Sequence, residues 1–310
     1  MTRFKADLLL LLTALIWGTA FVAQKLGNAK VGPYLFVSGR FALSALLLMP
    51  LAYWEARRGR DLRRRDWALS GVIGLTLCAG STMQQVGLTS TTVTNAGFIT
   101  TVYIALVPFV AWAILRTALR PLVLVAVIVS LSGAWLLAYH GESAQLNMGD
   151  LLVFASAFLY ALHIVLVSIF LKVTHRPFFL SLLQYSVTAV IAGAIGFAVE
   201  SANRQAAQDA LPTILYAGLL SGGVGYTLQI VAQRYTPATE AALIMSLESV
   251  FAALAAAVVL GERLTQLAAV GCALILLGVV LVEIVPVLVR GRSVNGQIDE
   301  MPPIGAAPLD

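Results

Sequence analysis

Two charged side chains lie far from any other charge inside long apolar stretches of the sequence. Glu248 is the only charged residue of 241–260, and Arg40 is the only one of 33–53. A charge at the centre of a membrane span costs roughly 2.5–3.5 kcal/mol, so such residues usually face a bundle interior or a wet cavity. Arg40 could bind a carboxylate and Glu248 an amine or a proton, or both could pair structurally with polar neighbours. Because Arg40 lies about seven residues from the end of its stretch, its side chain can reach the interface, and we favour a structural role for it.

The stretch around Glu248 has a counterpart earlier in the chain. At a shift of 145 residues, five landmarks coincide: Gly80 with Gly225, Gln84 with Gln229, Thr91 with Thr236, Thr94 with Thr239 and Ala96 with Ala241. Asp7 aligns with Asp150 at a shift of 143, and Pro33 with Pro177 at 144. Such internal similarity between hydrophobic halves is typical of transporters built from repeats.

The composition places the chain in a membrane. Of its 310 residues, 59% are hydrophobic and 11% are charged, and the mean hydropathy is +0.89. A soluble domain has about 25% charged residues. Both cysteines, Cys78 and Cys272, fall in apolar segments, which argues against a disulfide, and no metal-ligand spacing is present. The apolar N-terminal segment resembles a signal peptide, but it recurs at Asp150–Val173, so we assign it to the fold.

A span needs about 20 mostly apolar residues, and this rule predicts ten spans. They are approximately 7–26, 33–53, 67–87, 92–114, 121–139, 150–173, 178–199, 211–233, 237–260 and 266–289. Fifteen Lys and Arg residues fall on the side of the N-terminus and four on the other, which predicts cytoplasmic termini. Five spans per half is an odd number, so the second half enters the membrane inverted. The predicted fold class is an all-α membrane protein with ten transmembrane helices in two inverted five-helix repeats, 1–145 and 146–290, and a disordered tail, 291–310.

Short motifs in this arrangement resemble a known superfamily. They are Leu15-Ile16-Trp17-Gly18, Tyr235-Thr236-Pro237-Ala238, Leu247-Glu248-Ser249-Val250-Phe251 and Gly261-Glu262-Arg263. With the repeat, they resemble the ten-helix EamA-type branch of the drug/metabolite transporter superfamily, similar to exporters of aromatic amino acids and other metabolites. The resemblance implies a single substrate cavity with alternating access. Ser249 stands where the family pattern has proline, which removes the residue that would kink the ninth span.

Polar and aromatic residues recur at helical spacing on two spans that the repeat relates. They are Thr13, Trp17, Phe21 and Gln24 on the first span and Ser156, Tyr160 and His163 on the sixth. We interpret the two stripes as facing each other across a cavity. The alternatives are an interfacial position for Trp17 and a hydrogen-bonded core position for His163.

Further candidates lie on the spans that carry the repeated landmarks. Gln84 and Gln229 could bind a zwitterion through their amides, or could only join helices, an interaction worth about 0.6 kcal/mol. The fourth span carries a stripe that we expect to line the cavity: Asn95, Ala96, Ile99 and Tyr103. Ala96 would leave room for a ligand, and Glu248 completes the predicted substrate-binding set.

These residues favour a secondary transporter that exports small neutral or zwitterionic metabolites, in the first place amino acids including aromatic ones. One alternative is multidrug or amine efflux by proton antiport. The small multidrug branch has a glutamate on its first helix for this purpose, and Ala14–Trp17 offers none. A remote alternative is an intramembrane enzyme, but the three histidines are scattered. We expect a small-molecule substrate, a bacterial inner membrane as surroundings, no cofactor, no metal and no nucleic acid. The oligomeric state is left open, a monomer included.

The predicted topology is testable by labelling. A single cysteine in Glu142–Asn147 should react with a membrane-impermeant thiol reagent added outside intact cells, because this loop lies on the outer side. A single cysteine in Arg57–Arg65 should react only after the cells are opened. The reverse pattern would contradict the topology.

Overall fold

The computed structural model describes residues 1–58, 62–116, 118–138, 147–201, 204–261 and 265–283. The first half contains α1 (Arg3–Asn28), α2 (Pro33–Arg58), α3 (Arg64–Gly87), α4 (Val93–Thr101), α5 (Tyr103–Leu115) and α6 (Pro121–Ala138). The second half contains α7 (Met148–Thr174), α8 (Pro177–Val199), α9 (Arg204–Leu215), a π-helix (Tyr216–Tyr226), α10 (Thr227–Ala232), α11 (Ala238–Met245), α12 (Glu248–Leu260) and α13 (Gln266–Glu283). Within these ranges every regular element is a helix. The predicted tail, 291–310, and the Glu262-Arg263 part of the family motif lie outside the described residues.

Within the described ranges the helical elements form ten rods, as predicted, where a rod is a single helix or a run of helices that follow one another directly. The runs are α4–α5, α9 with the π-helix and α10, and α11–α12. Seven of them are long and apolar enough to cross a membrane: Arg3–Asn28, Pro33–Arg58, Val93–Leu115, Met148–Thr174, Pro177–Val199, Arg204–Ala232 and Ala238–Leu260. Two shorter apolar helices, Pro121–Leu137 and Gln266–Leu281, and the less hydrophobic α3 complete the bundle. Large apolar side chains cover the outside, among them Val258 at 85% exposure and Phe197 at 73%. Such a surface requires lipid around it, and the all-α membrane fold class is confirmed.

Contacts at the helix ends identify two faces of the bundle. Arg3, at the start of α1, contacts Glu240 on α11. We call this end the N-face. Lys25, near the end of α1, contacts the turn that follows α3, and we call that end the opposite face. Inside the bundle α2 packs along α8, and α6 packs along α13. Each of these pairs joins helices that the sequence repeat relates.

Two half-buried carboxylates hold the antiparallel pair α2 and α8 together from both ends. Glu200, which follows α8, accepts hydrogen bonds from the backbone N–H groups of Tyr34 and Leu35, both at 2.9 Å. Glu55, near the end of α2, accepts bonds from Phe178 N at 3.4 Å and Phe179 N at 2.7 Å. Each helix therefore ends in a carboxylate that caps the exposed N–H groups and the positive dipole end of its partner. The two glutamates occupy equivalent positions in the repeat.

A second pair of repeat-related contacts joins the halves near the two faces. Thr91 donates a hydrogen bond to Asp150 Oδ1 at 2.6 Å near the opposite face. Thr236 donates one to Asp7 Oδ1 at 2.7 Å near the N-face. In each case the first helix of one half binds a turn of the other half. The aligned pairs Thr91/Thr236 and Asp7/Asp150, by which the sequence repeat was recognised, thus also connect its two halves.

Two rods are interrupted at equivalent positions. The break between α4 and α5 falls at Val102, and the break between α11 and α12 falls at Ser246–Leu247. In the second rod Ser246 donates to Leu243 O at 2.6 Å and Ser249 donates to Ser246 O at 2.8 Å. Serine hydroxyls that bind the preceding turn loosen the helical hydrogen-bond pattern. The hydrogen-bond pattern of the ninth span is thus interrupted beside Ser249, although no proline stands there.

The reciprocal caps predict additive losses of stability. Glu55→Gln and Glu200→Gln each remove a charge from a helix N-terminus, so each should lower the unfolding free energy by about 1 kcal/mol. The two sites lie at opposite ends of the α2–α8 pair and should add in the double variant. Urea unfolding of the detergent-solubilised protein measures this. The exposed Asp209→Asn is the control, and an effect of the same size in that variant would contradict the capping role.

Candidate functional site

A central cavity lies between the two halves. It encloses about 490 Å³ between side chains, of which about 40 Å³ can hold the centre of a water molecule. That space suffices for about three waters, so the cavity is narrow in this conformation. Its walls are Trp17, Phe21, Gln24, Arg40, Gln84, Thr100, Tyr103, Tyr160, His163, Ile164, Ser221, Tyr226, Gln229 and Glu248.

The structure brings together eight of the thirteen residues that the sequence nominated. These eight are Trp17, Phe21, Gln84, Tyr103, Tyr160, His163, Gln229 and Glu248. Five others lie outside the cavity wall: Thr13, Asn95, Ala96, Ile99 and Ser156. Thr13 and Ser156 donate to carbonyls of their own helices, Leu9 at 2.8 Å and Val153 at 2.6 Å.

The stripe on the fourth span lines the cavity only at its C-terminal end, one turn beyond Ala96 and Ile99. Ala96 and Ile99 pack in an apolar cluster with Phe21 and Ala252. Thr100 and Tyr103, one turn further along, line the cavity. The expected chamber wall at Ala96 is therefore part of the core in this structure. Asn95 lies in the first turn of α4, farther from the cavity than Ile99. Its backbone N–H donates to the side chain of Thr92, which caps this helix.

An aromatic wall is held in place by the π-helix. Trp17 Nε1 donates to the carbonyl of Ser221 at 3.2 Å, and the Trp17 and Tyr226 rings lie 4.5 Å apart. A Cβ on Gly225 would stand 2.7 Å from Trp17 Nε1, so glycine is needed for this approach. A π-helix often marks a functional position, and here it supplies the carbonyl that orients the tryptophan. Trp17 therefore belongs to the cavity and does not lie at the membrane interface.

His163 faces the cavity and is also bonded to a neighbouring helix. Its Nε2 lies 2.9 Å from Gln184 Oε1 on α8. Because the amide oxygen accepts, this contact selects the tautomer with a proton on Nε2. The His163 ring meets Tyr226 edge-on, with centroids 6.2 Å apart. His163 therefore lines the cavity and is also hydrogen-bonded between helices, so the two interpretations of this residue are compatible.

The repeat-related glutamines differ in their partners. Gln84 Nε2 donates to Thr100 Oγ1 at 2.9 Å, and Gln84 Oε1 accepts from the Tyr160 hydroxyl at 3.2 Å. Gln229 is fully buried, yet neither its amide nitrogen nor its oxygen has a hydrogen-bond partner among the described residues. Gln84 acts as a bridge between helices. Gln229 presents a complete unused amide to the cavity.

Arg40 and Glu248 both line the cavity, each with 3% of its surface exposed. Within the described part of the chain they form no ion pair with one another, and Arg40 Nε and Glu248 Oε1 lack hydrogen-bond partners. Arg40 does not reach the interface, so the favoured structural role as a snorkelling residue is wrong. Its position as the only charged residue of 33–53 was the signal that could have placed it here.

A polar clamp closes the opposite face above the cavity. Lys25 donates to the carbonyls of Leu88 and Thr91 at 2.8 and 2.7 Å. Asn28 donates to Gln85 O at 2.9 Å, and Gln85 Nε2 donates back to Asn28 Oδ1 at 2.7 Å. The end of α1 is thereby fastened to the turn between α3 and α4.

The corresponding position at the N-face is open. The repeat equivalents of Lys25, Asn28 and Gln85 are Ser168, Leu171 and Ile230, which cannot form the same network. Here a vestibule of about 1530 Å³ lies between the end of α7, the α5–α6 connection and the α10–α11 turn. About 570 Å³ of it can hold the centre of a water molecule.

The vestibule wall carries charged groups. Arg120, Lys172 and Arg234 line it together with Glu240. Glu240 contacts Arg3 at 2.7 Å and Arg120 at 3.3 Å. Among the residues the structure describes, no three His, Cys, Asp or Glu side chains come together as metal ligands.

The two glutamines allow a matched stability test. Gln84→Leu strands Thr100 and Tyr160, so it should lower the unfolding free energy by about 1–3 kcal/mol. Gln229→Leu removes an amide that has no protein partner, so it should leave stability unchanged or raise it. Thermal unfolding of the purified variants, followed by size-exclusion chromatography, measures both. Equal destabilisation by the two substitutions would contradict the assigned difference.

Comparisons with known proteins agree with this architecture. The model of the EamA-like transporter family matches residues 4–139 and again 147–284. An uncharacterized transporter of Archaeoglobus fulgidus is 32% identical over 285 residues, covering 91% of this chain and 87% of that protein. The uncharacterized transporter YwfM of Bacillus subtilis is 24% identical over 284 residues, covering 90% and 94%.

A solved crystal structure shares the fold. It superposes with a TM-score of 0.75 at 19% identity, covering 94% of this chain and 99% of that one. Both family matches together span nearly all the described helices. The chain belongs to the EamA-like transporter family.

Proposed function

We propose that this protein is a secondary transporter that exports small neutral or zwitterionic metabolites, above all amino acids including aromatic ones. The observation that carries the proposal is the central cavity. Its wall combines aromatic faces from Trp17, Phe21 and Tyr226 with the unused polar groups of Gln229 and Glu248. An apolar wall with a few convergent polar groups is the usual composition of a small-molecule site.

The direction and location of transport follow from the charge distribution. Lys and Arg concentrate on the N-face, which by the positive-inside rule is the cytoplasmic side of a bacterial inner membrane. The vestibule then opens to the cytoplasm, and the clamp closes the outer side. In this conformation the vestibule offers substrate an approach from the cytoplasm, as export requires.

Alternating access requires the two faces to open in turn. The narrow cavity lies between a closed clamp and an open vestibule. An amino acid needs more space than about three waters occupy, so the halves must separate around it before it can bind. The breaks at Val102 and Ser246–Leu247 lie beside Tyr103 and Glu248, so these rods can change direction at the depth of the cavity.

One observation favours amine efflux by proton antiport as a second candidate. Glu248 is a buried carboxylate with an unpaired oxygen in the cavity, and such a group could exchange a proton for a cationic amine. Glu248→Gln distinguishes the two candidates. Loss of flux driven by a pH gradient, with exchange retained, would support antiport. Flux that does not respond to a pH gradient in the parent protein would contradict it.

Flux measurements test the proposal directly. Purified protein in liposomes, loaded with unlabelled substrate, should accumulate the same radiolabelled compound by counterflow. The panel comprises phenylalanine, leucine, serine and lysine, with glucose 6-phosphate as a negative control. We expect phenylalanine and leucine to exchange faster than lysine and the sugar phosphate, because the cavity is aromatic and has few charges. Counterflow of none of the amino acids would overturn the proposal.

The clamp predicts a change in access to the cavity. Lys25→Met removes the donor to Leu88 O and Thr91 O, so the opposite face should open more often. The reporter is Gln24→Cys in a background without the two native cysteines, treated from outside with an impermeant thiol reagent. The labelling rate should rise several-fold.

Lys30→Met is the matched control, because Lys30 is exposed at the same face and its one hydrogen bond to a described residue is to Asp209 O. An equal rise in both variants, or no rise in Lys25→Met, would show that the clamp does not close this face.

A further inference from the structure

We propose that Arg40 and Glu248 recognise the two ends of a zwitterion, the carboxylate at Arg40 and the ammonium group at Glu248. The inference rests on the proposed function and narrows it. A transported molecule must then carry both charges, so amines and carboxylic acids with the same side chain are poor substrates.

Arg40 has no anionic partner among the residues that the structure describes. The neighbouring polar groups with which its guanidinium interacts are the phenols of Tyr226 and Tyr160, both in the cavity wall. Its guanidinium also lies 4.9 Å from the Phe41 ring. The position is fixed from behind, because a Cβ on Gly218 would stand 2.8 Å from the Arg40 carbonyl. This close packing of α2 against the π-helix points the side chain inward.

Glu248 lies on another wall of the same cavity. Its carboxylate interacts with the Tyr103 hydroxyl, but no hydrogen bond of good geometry joins that hydroxyl to Glu248 or to another described residue. The helix that carries Glu248 is pressed against α1, where a Cβ on Gly18 would lie 2.6 Å from the Glu248 carbonyl. The first turn of α12, after the break, presents the carboxylate to the cavity.

The other carboxylates that the structure describes all have partners. Glu55 and Glu200 each accept two backbone N–H groups, and Glu240 meets two arginines. Asp7 and Asp150 each bind a threonine. Oε1 of Glu248 and Oε2 of Glu240 both lack a hydrogen bond of good geometry within the described ranges, but Glu240 Oε2 lies 2.7 Å from the Arg3 guanidinium. Glu248 is therefore the one buried carboxylate there with an oxygen that meets neither a hydrogen-bond donor nor a cation. A fold that satisfies its structural carboxylates this consistently leaves one unpaired at the place where a ligand provides the partner.

Arg40 and Glu248 line one narrow cavity without forming an ion pair. They can therefore distinguish a zwitterion from a singly charged ligand by the cost of leaving a buried charge without a partner. A zwitterion neutralises both, and its carboxylate can accept a bidentate bond from the guanidinium. An amine would leave Arg40 buried without an anion, and a carboxylic acid would leave Glu248 buried without a cation. Leaving a buried charge unpaired carries the full desolvation penalty of that group. The amide of Gln229 can donate to the carboxylate or accept from the ammonium group.

Three ligands that share one ring provide the first experiment, which needs no variant. Phenylalanine has both charges, phenethylamine lacks the carboxylate, and 3-phenylpropionate lacks the ammonium group. Each is tested as an unlabelled competitor of radiolabelled phenylalanine counterflow in liposomes with the parent protein. We expect the half-inhibitory concentrations of the two analogues to be at least about tenfold higher than that of phenylalanine.

Two variants provide the second experiment. Glu248→Gln should reduce the advantage of phenylalanine over 3-phenylpropionate at least severalfold, because no buried carboxylate then lacks a cation. Arg40→Gln should reduce its advantage over phenethylamine by a similar factor. Arg40→Lys keeps the charge and should retain the parent ranking. Glu200→Gln changes a half-buried carboxylate that caps α2 outside the cavity wall, so it should also retain the parent ranking.

The outcomes separate this inference from the proposed function. Equal competition by all three ligands in the parent protein would overturn the zwitterion site while leaving an amino acid transporter in place. Identical changes for the two analogues in Glu248→Gln and Arg40→Gln would overturn it as well. No phenylalanine, leucine or serine counterflow in the parent protein would overturn the proposed function, and this inference with it. If either variant fails to fold, the competition experiment in the parent protein still tests whether the site requires both charges of the ligand.

Discussion

The absence of water inside a bilayer is the constraint on which this structure depends. A polar group in the hydrocarbon region must find its partner within the protein. Glu55 and Glu200 meet this requirement by capping each other's helices, and Asp7 and Asp150 meet it through threonines of the other half. The partner is in every case on the opposite repeat. Satisfying the polar groups and joining the halves are therefore achieved by the same bonds.

The central cavity relaxes this rule for two charged side chains and a whole amide, whereas single atoms such as Ser130 Oγ and Ser181 Oγ are left unpaired elsewhere in the described ranges. Gln229, Glu248 and Arg40 keep unpaired atoms there, although all three are buried. Their repeat-related surroundings show that this is specific, since Gln84 is bonded on both sides of its amide. The same duplicated sequence thus yields a structural glutamine in one half and an available one in the other. The clamp and the vestibule show a similar divergence between equivalent positions.

The spans, the fold class and most of the cavity wall could be predicted because they depend on patterns along one helix. Hydropathy marks the spans, and helical spacing placed Trp17, Tyr160 and His163 on one side. The failures concern depth and packing between helices. Ala96 lies on the same stripe of its span as Thr100 and Tyr103 but one turn away from the cavity. Arg40 faces the cavity because Gly218 lets the π-helix approach α2 closely. The π-helix and the break at Ser246–Leu247 arise from local shifts in hydrogen bonding that composition does not reveal.

The reciprocal capping of α2 and α8 bears on how such a chain could have arisen. A five-helix half in isolation would expose an uncapped helix N-terminus and a glutamate without a partner. Two copies of one half, inserted with opposite orientations, would supply each other with both groups through a single self-complementary contact. The contact would exist before any fusion of the two genes, and fusion would only fix the two orientations in one polypeptide. The glutamates at 55 and 200 thus form within one polypeptide the self-complementary contact that two separate halves would make with each other.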